Sequence, residues 1–405
     1  ALKARRGSRM RGASRLSPPP LLSDMGAMPK LTLHVGHSKT GSSALQSMLA
    51  LNKGRLAEQG CIYPDHPSFA EAQRGNISSG NLIPARLVEW YDAARRANPD
   101  AAQVLFSTEL AMFHFLKDPA PIATLTARGV VVEIILFIRD PVEHALSSYV
   151  QQVKRGGLDG PLGAYLAGYA MPVQVARFLA AVTPIGAELI VHNYSIHRDR
   201  LEALFLDAIG HAGSGLTPLP FQQVNRSLTG SEVYLQRQFN RLWGQKSSVF
   251  ISDALCNDAP EIVTELPMPA RADYDAMLAR LAPAIAQVSA QVPAPEAYRI
   301  TPYDQLTTSS QPDDQLEFAP SQIDALAAAI SARIPRPDLV ERFSALALKA
   351  RAGHALTRAE VALLVETALA MDPVQGRLIH KQSVLAAPRP PLIARLRNRL
   401  KRLRR

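Results

Sequence analysis

With 405 residues, 47% of them apolar, the chain is long enough for one large domain with a substantial core and a smaller unit beside it. Its formal charge of +10 is confined to the ends: residues 1–24 carry six Lys/Arg and one Asp, residues 389–405 eight Lys/Arg and no acid, and the body keeps 31 basic and 34 acidic residues. That balance argues against a nucleic-acid partner, the lack of an 18-residue apolar run against a transmembrane helix, and the two cysteines, Cys61 and Cys256, against a disulfide framework, so a reduced, cytoplasmic setting is expected.

Residues 1–27 are rich in Arg, Ser and Pro and read as a disordered leader, with Met25 or Met28 as a natural start. An α/β body is expected over 28–255. It opens with the β-branched run "LTLHVG" (31–36), which passes through "HSKTGSS" into a helix starting near Gly41 and Ser42. That helix is expected to bury Leu45, Met48, Leu49 and Leu51. Further strands are expected at 102–109 ("AQVLFSTE"), 129–140 ("GVVVEIILFIRD") and 187–195 ("AELIVHNYS"), with helical stretches between them. This alternation predicts an α/β fold, a central, mainly parallel sheet with helices on both faces. Chemistry in such sheets collects at the C-terminal strand ends, which places Lys39, Thr108, Glu109, Arg139 and Asp140 along one edge.

Beyond 255 the strand signal fades. Alanine-rich helical stretches at 271–291, 321–334 and 357–372 define a helical appendage over 256–387, expected to pack on the body. Thr357 and Glu360 have capping-box spacing at the last of these. In the tail, 388–405, Leu392, Ile393, Leu396, Leu400 and Leu403 recur at helical spacing among arginines. The pattern fits a basic amphipathic helix on an anionic membrane surface, and equally a solvated tail.

Two strand-to-helix junctions carry chemistry. In Lys39-Thr40-Gly41-Ser42-Ser43, glycine permits close backbone approach to an anion, serine hydroxyls and helix N–H groups donate to it, and Lys39 adds a point charge. The lysine precedes Gly41 by two residues, so the Gly-Lys-Ser/Thr order of the triphosphate-binding loop is missing. In "RDPVEHALSSY", Arg139 offers a two-pronged fork for a phosphate, Ser147 follows eight residues later, and Asp140 caps a helix with Pro141 at its first position.

Together the two motifs resemble the sulfotransferases that use 3′-phosphoadenosine-5′-phosphosulfate (PAPS), over roughly residues 29–240. The resemblance implies a sulfotransferase fold akin to that of the P-loop NTPases. It implies that Lys39, Thr40, Gly41, Ser42 and Ser43 hold the 5′-phosphosulfate, and that Arg139 and Ser147 grip the 3′-phosphate. The segment "VNRSLTGSEVYLQRQFN" (224–240) is similar to one near the cofactor in bacterial members, which makes Asn225, Arg226 and Ser227 candidate nucleotide contacts. No catalytic metal is expected, because Lys39 can meet charge developing on the bridging oxygen.

The general base is not carried over by the motifs. Glu109, ending the second strand, is the first candidate, with orientation of Lys39 or helix capping as its other reading. His66 in "YPDHPSF" is the second, and His37 is read as shaping the turn. "GNISSGN" (75–81) has no His or Glu and offers Ser78, Ser79 and Asn81 to a substrate. His144, His192, His197, Trp90 and Trp243 are read as packing or surface residues. The expected activity is sulfuryl transfer to a hydroxyl, or an amine, of a carbohydrate in a glycan or glycolipid precursor, with the enzyme peripheral at the cytoplasmic membrane face. Two other classes stay open: a variant phosphate-loop nucleotide kinase or NTPase, and a non-catalytic, membrane-associated nucleotide-binding protein on the same fold.

Overall fold

The computed structural model describes residues 30–66, 69, 80–109, 111–211, 213, 215–217, 226–306, 315–333 and 337–361. Strands β1 (Lys30–His34), β2 (Cys61–Ile62), β3 (Gln103–Ser107), β4 (Val131–Ile138) and β5 (Glu188–Asn193) form one sheet in the order β2-β3-β1-β4-β5. Every pairing in it is parallel. The four expected strands are present: β1 begins one residue before its run and ends two residues early, and β3, β4 and β5 are each a few residues shorter than theirs. The two-residue β2 is too short to show a period, and the sequence does not announce it.

Strand residues alternate between two apolar layers, as a pleat with both faces covered requires. Leu31, Leu33, Phe106, Ile134 and Leu136 meet the helices Leu87–Ala97, Ala120–Ala127 and Met171–Val182. Leu105, Ile135 and Phe137 face the other way, onto Leu45, Met48 and Leu49 of the helix Ser42–Leu51 and Phe205 of Leu201–Ala208. Burying side chains of this kind contributes about 1.5–3 kcal/mol each. Leu51, expected inside, is 38% exposed at the last position of its helix.

After β1 the chain crosses to β2 and β3 on one side, and after β4 it runs to β5 on the other. The loops leaving β1 and β4 therefore diverge, opening a crevice above adjacent strands. Asp140 holds its side of that crevice. Its Oδ1 accepts from Val142 N at 2.6 Å and Glu143 N at 3.3 Å, with Pro141 opening the helix Pro141–Gln151.

The helix Arg271–Gln291 lies against the body: its Val288 joins the sheet core, and Tyr274, Met277 and Leu281 pack with Val142 and Leu146. The strap that follows supports the C-terminal strand ends. Glu296 Oε2 accepts from Asn193 N at 2.6 Å, and Thr301 donates both N–H and O–H to Asp140 Oδ2 at 2.6 Å. Residues on the helices Gly230–Trp243 and Pro320–Arg333, among them Phe239 and Leu326, share a separate core with Leu255. Thr357 and Glu360 make the reciprocal capping bonds their spacing predicts. The remainder of that expected helix from 362, the leader 1–27 and the tail 388–405 lie outside the described residues. One segment, Leu162–Ile185, is long and apolar enough to cross a membrane by composition alone. It is broken between the helices Leu162–Gly168 and Met171–Val182, and the second buries Val175 and Leu179 in the sheet core.

Candidate active site

The turn after β1 is built from unusual backbone. Lys39 has φ 65° and Gly41 φ 78°, two left-handed residues within three positions. Lys39 is the only non-glycine residue with positive φ among the described residues, a conformation that side chains adopt at a cost of about 1–3 kcal/mol. Gly41 has a second reason to lack a side chain, since a Cβ there would lie 2.2 Å from Leu201 Cδ2. Its carbonyl accepts from Leu45 N at 3.1 Å, and the helix that follows has no side-chain cap. The first-turn N–H groups and the positive end of the helix dipole are thereby presented to the loop.

The two junctions meet. Arg139 donates from Nη1 to the Lys39 carbonyl at 2.9 Å and from Nε to Glu143 Oε2 at 3.3 Å, and it lies over the Tyr194 ring at 5.3 Å. Its Nη2 makes no hydrogen bond to a described residue. Lys39 reaches the far end of the same helix, donating from Nζ to Gln151 Oε1 at 2.8 Å. There the helix passes into a π-turn, Gln152–Gly156, carrying Lys154 and Arg155, the kind of bulge common at functional sites.

The local field is positive. Burial, then Lys154, and then Arg139 and Arg155 lower the Lys39 ammonium to about 8, against the opposing pull of Glu109. Burial pushes the Glu109 carboxyl up, and Lys39 draws it back. A lysine and a carboxyl displaced towards each other at one strand edge suit acid–base work.

Beneath the turn, His37 and His144 meet edge to face at 4.7 Å. His144 donates from Nε2 to the Ser38 carbonyl at 2.9 Å and accepts from Tyr169 OH on Nδ1 at 2.8 Å. His37 Nδ1 bonds the same carbonyl at 3.1 Å. Burial lowers His37 to about 4 and His144 well below its ordinary value, so both rings are neutral at pH 7.

Several buried polar atoms around the loop have no partner among the described residues: His34 Nε2, His37 Nε2, Ser42 Oγ and Gln46 Oε1. Unpaired buried polar atoms are rare and expensive; Gln46 Oε1 and the neutral His37 Nε2 can only accept, whereas a donor such as Ser42 Oγ beside an uncapped helix start fits a group rich in anionic oxygens. Thr40 is the exception, its hydroxyl donating to the His37 carbonyl at 2.9 Å. Ser43 and Ser147 are half-buried, and Ser147 has no hydrogen-bond partner among the described residues. Also among the described residues, no group of three or more His, Cys, Asp and Glu side chains is arranged to hold a metal ion.

Other expected residues stand elsewhere. Asn225, Ser78 and Ser79 lie outside the described residues. Arg226 is buried, and all five of its N–H donors go to protein: Glu232 twice, and the carbonyls of Ser227, Leu255 and Ala259. Ser227 contributes that carbonyl. Asn81 is fully buried, bonding the carbonyls of Pro64 and Leu105 and accepting from Ser107 N at 2.8 Å. His66 follows edge strand β2, two strands from β1, with its ring 6.1 Å from Trp90.

No family model matches the chain, and no curated protein matches it significantly. Among solved structures, a sulfotransferase from Alicyclobacillus acidocaldarius is similar at 15% identity and a TM-score of 0.28, covering 57% of this chain and 97% of that one. The sulfotransferase domain from the curacin biosynthetic pathway is similar at 12% identity and a TM-score of 0.28, covering 68% and 100%. Likenesses this distant carry no argument about activity, which rests on the site itself.

Sequence reasoning gave no site role to His34, to His144, which it read as packing or surface, or to Gln151, Lys154 and Arg155. The last four follow Arg139 within one continuous helical run, "RDPVEHALSSYVQQVKR", so their helix was legible. That its far end bends back to Lys39 was not.

Proposed function

We propose that this chain is a sulfotransferase that uses PAPS as donor and a carbohydrate hydroxyl as acceptor. The observation that supports it most is the hydrogen bond from Arg139 to the Lys39 carbonyl, which joins two motifs 100 residues apart in one crevice. Either motif alone describes an ordinary helix start. Adjacent, they offer one anion grip at the loop and a second at the arginine, as a donor with phosphates at both ends of a ribose requires.

When bound, the donor supplies the transferable sulfuryl group. Lys39, Gly41, Ser42 and Ser43 hold its sulfated end, and Arg139 and Ser147 the 3′-phosphate. Lys39 is mostly protonated at neutral pH, and its interaction strengthens as negative charge gathers on the departing oxygen. Glu109, at the same strand edge and raised by burial, takes the acceptor's proton. The acceptor belongs to a glycan or glycolipid precursor, with the basic tail at an anionic membrane surface.

Thermal shift measurements with adenosine 3′,5′-bisphosphate and with ATP–Mg²⁺ test the donor. The bisphosphate should raise the Tm of the wild type, and Arg139→Ala should weaken the rise, because ligand bound only to the folded state stabilises it. Stabilisation by ATP–Mg²⁺ alone would assign the chain to the nucleotide kinases instead. Glu109→Gln should abolish sulfuryl transfer while sparing bisphosphate binding, and turnover at the wild-type rate removes Glu109 from the base role.

A further inference from the structure

His34 ends β1 directly opposite Ser107 on β3, and its Nδ1 lies 2.8 Å from Ser107 Oγ. Gln46, one turn into the loop helix, donates Nε2–H to that same hydroxyl at 3.3 Å. A serine hydroxyl that accepts from Gln46 keeps its own proton to give, and His34 Nδ1 is within reach to receive it. Burial holds the imidazole neutral, lowering it to about 4, and in the tautomer whose Nδ1 accepts from Ser107 the single N–H is on Nε2. That Nε2 points to the other side of the ring, where it finds no acceptor among the described residues.

The Ser42 hydroxyl is in the same condition: both residues are 1% exposed, and neither atom has a partner among the described residues. They converge beside Gly36. The point that a Cβ on Gly36 would occupy is 2.7 Å from Ser42 Oγ and 3.3 Å from His34 Nε2. Those separations suit an oxygen that accepts from both donors. Gly36 has no left-handed φ to explain its identity, so the glycine serves the space and not the turn.

We propose that His34 and Ser42 form a buried subsite for one oxygen of the anion held by the loop, and that Ser107 and Gln46 are positioning residues that keep His34 as an Nε2–H donor. This rests on the sulfotransferase reading, in which that anion is the 5′-phosphate end of the nucleotide. Gly36 is glycine because any side chain would take the oxygen's place. The donor pair is neutral and buried, so its grip changes little with pH or salt, unlike that of Lys39.

Isothermal titration of the full chain with adenosine 3′,5′-bisphosphate and with adenosine 3′-monophosphate tests the subsite, because only the first carries a 5′-phosphate. His34→Phe and Gly36→Ala should each weaken the bisphosphate roughly 10- to 100-fold, the loss of a hydrogen bond to a charged group, and leave the monophosphate unchanged. His34→Gln, whose amide can supply an N–H near the Nε2 position, should recover part of the loss. If His34→Phe does not fold, Gly36→Ala still decides, since it leaves His34, Ser107 and Gln46 in place. Undiminished bisphosphate binding in Gly36→Ala and His34→Phe overturns the subsite, as does equal weakening of both ligands, which marks a structural role or a bound water. A wild type that binds neither nucleotide refutes the sulfotransferase reading itself, and the subsite with it.

Discussion

Arg139 and Arg226 are both largely buried, and each is paired with a glutamate, yet their surroundings are opposite. Arg226 has every donor filled, its carboxylate partner Glu232 is fully buried, and Gln322 adds another bond to that carboxylate. Glu232 also closes a capping box with Thr229 at the start of the helix Gly230–Trp243. Arg139 shares Glu143 with Ser195 at 3.2 Å, holds a left-handed lysine by its carbonyl, and stands beside buried atoms that no described residue satisfies. A cluster that is complete within itself specifies a fold. One left incomplete, on strained backbone, stores the capacity to bind.

The largest effect should come from opening the complete cluster. Arg226→Ala leaves Glu232 buried without its counter-charge, and urea unfolding should show a loss of about 3–5 kcal/mol, with bisphosphate affinity unchanged. A stable variant that loses the nucleotide would reverse the roles assigned to the two arginines.

Next in size is Lys39→Met, which should lower turnover roughly 10²–10³-fold, the usual cost of removing one stabiliser of transition-state charge, without lowering stability at neutral pH. The pH dependence has a definite sign. The folded value of about 8 lies below the unfolded 10.5, so between them the unfolded chain holds more protons. Wild-type stability should therefore rise across that window relative to Lys39→Met. Bisphosphate affinity should fall above about pH 8, with proton uptake on binding, visible as heats that depend on the buffer. Affinity that does not change across the window would take Lys39 out of the anion grip.

The smallest effect sharpens the contrast further. Thr229→Ala removes half of the capping box and should cost about 1 kcal/mol in unfolding free energy, with turnover unaltered. A change in turnover would show that the complete cluster communicates with the loop.

Much of this was legible beforehand where the signal is local. The β-branched runs marked β1, β3, β4 and β5, and Asp140-Pro141 marked a helix start whose cap the structure contains. Thr357 and Glu360 did the same for a second start. Thr229 and Glu232 have the same spacing and went unread, because the segment was taken for a nucleotide contact. His34 was read only as part of a strand, since its meaning depends on Ser107 in register across the sheet.

By itself, then, the sequence determined the alternation of strands and helices, the glycine at the tight turn and the residue types able to hold an anion, because propensity, period and capping act within a few residues. Only the tertiary structure decided which of those residues meet. Lys39 and Arg139 are joined by strand order, Lys39 and Gln151 by the length of a helix, and His34 and Ser42 by the missing side chain of Gly36. The same packing assigned Arg226, equally suited by type to hold a phosphate, to a buried ion pair. Hydrogen-bonding capacity belongs to a residue, whereas whether it is spent within the protein or kept for a ligand depends on neighbours that only the fold supplies.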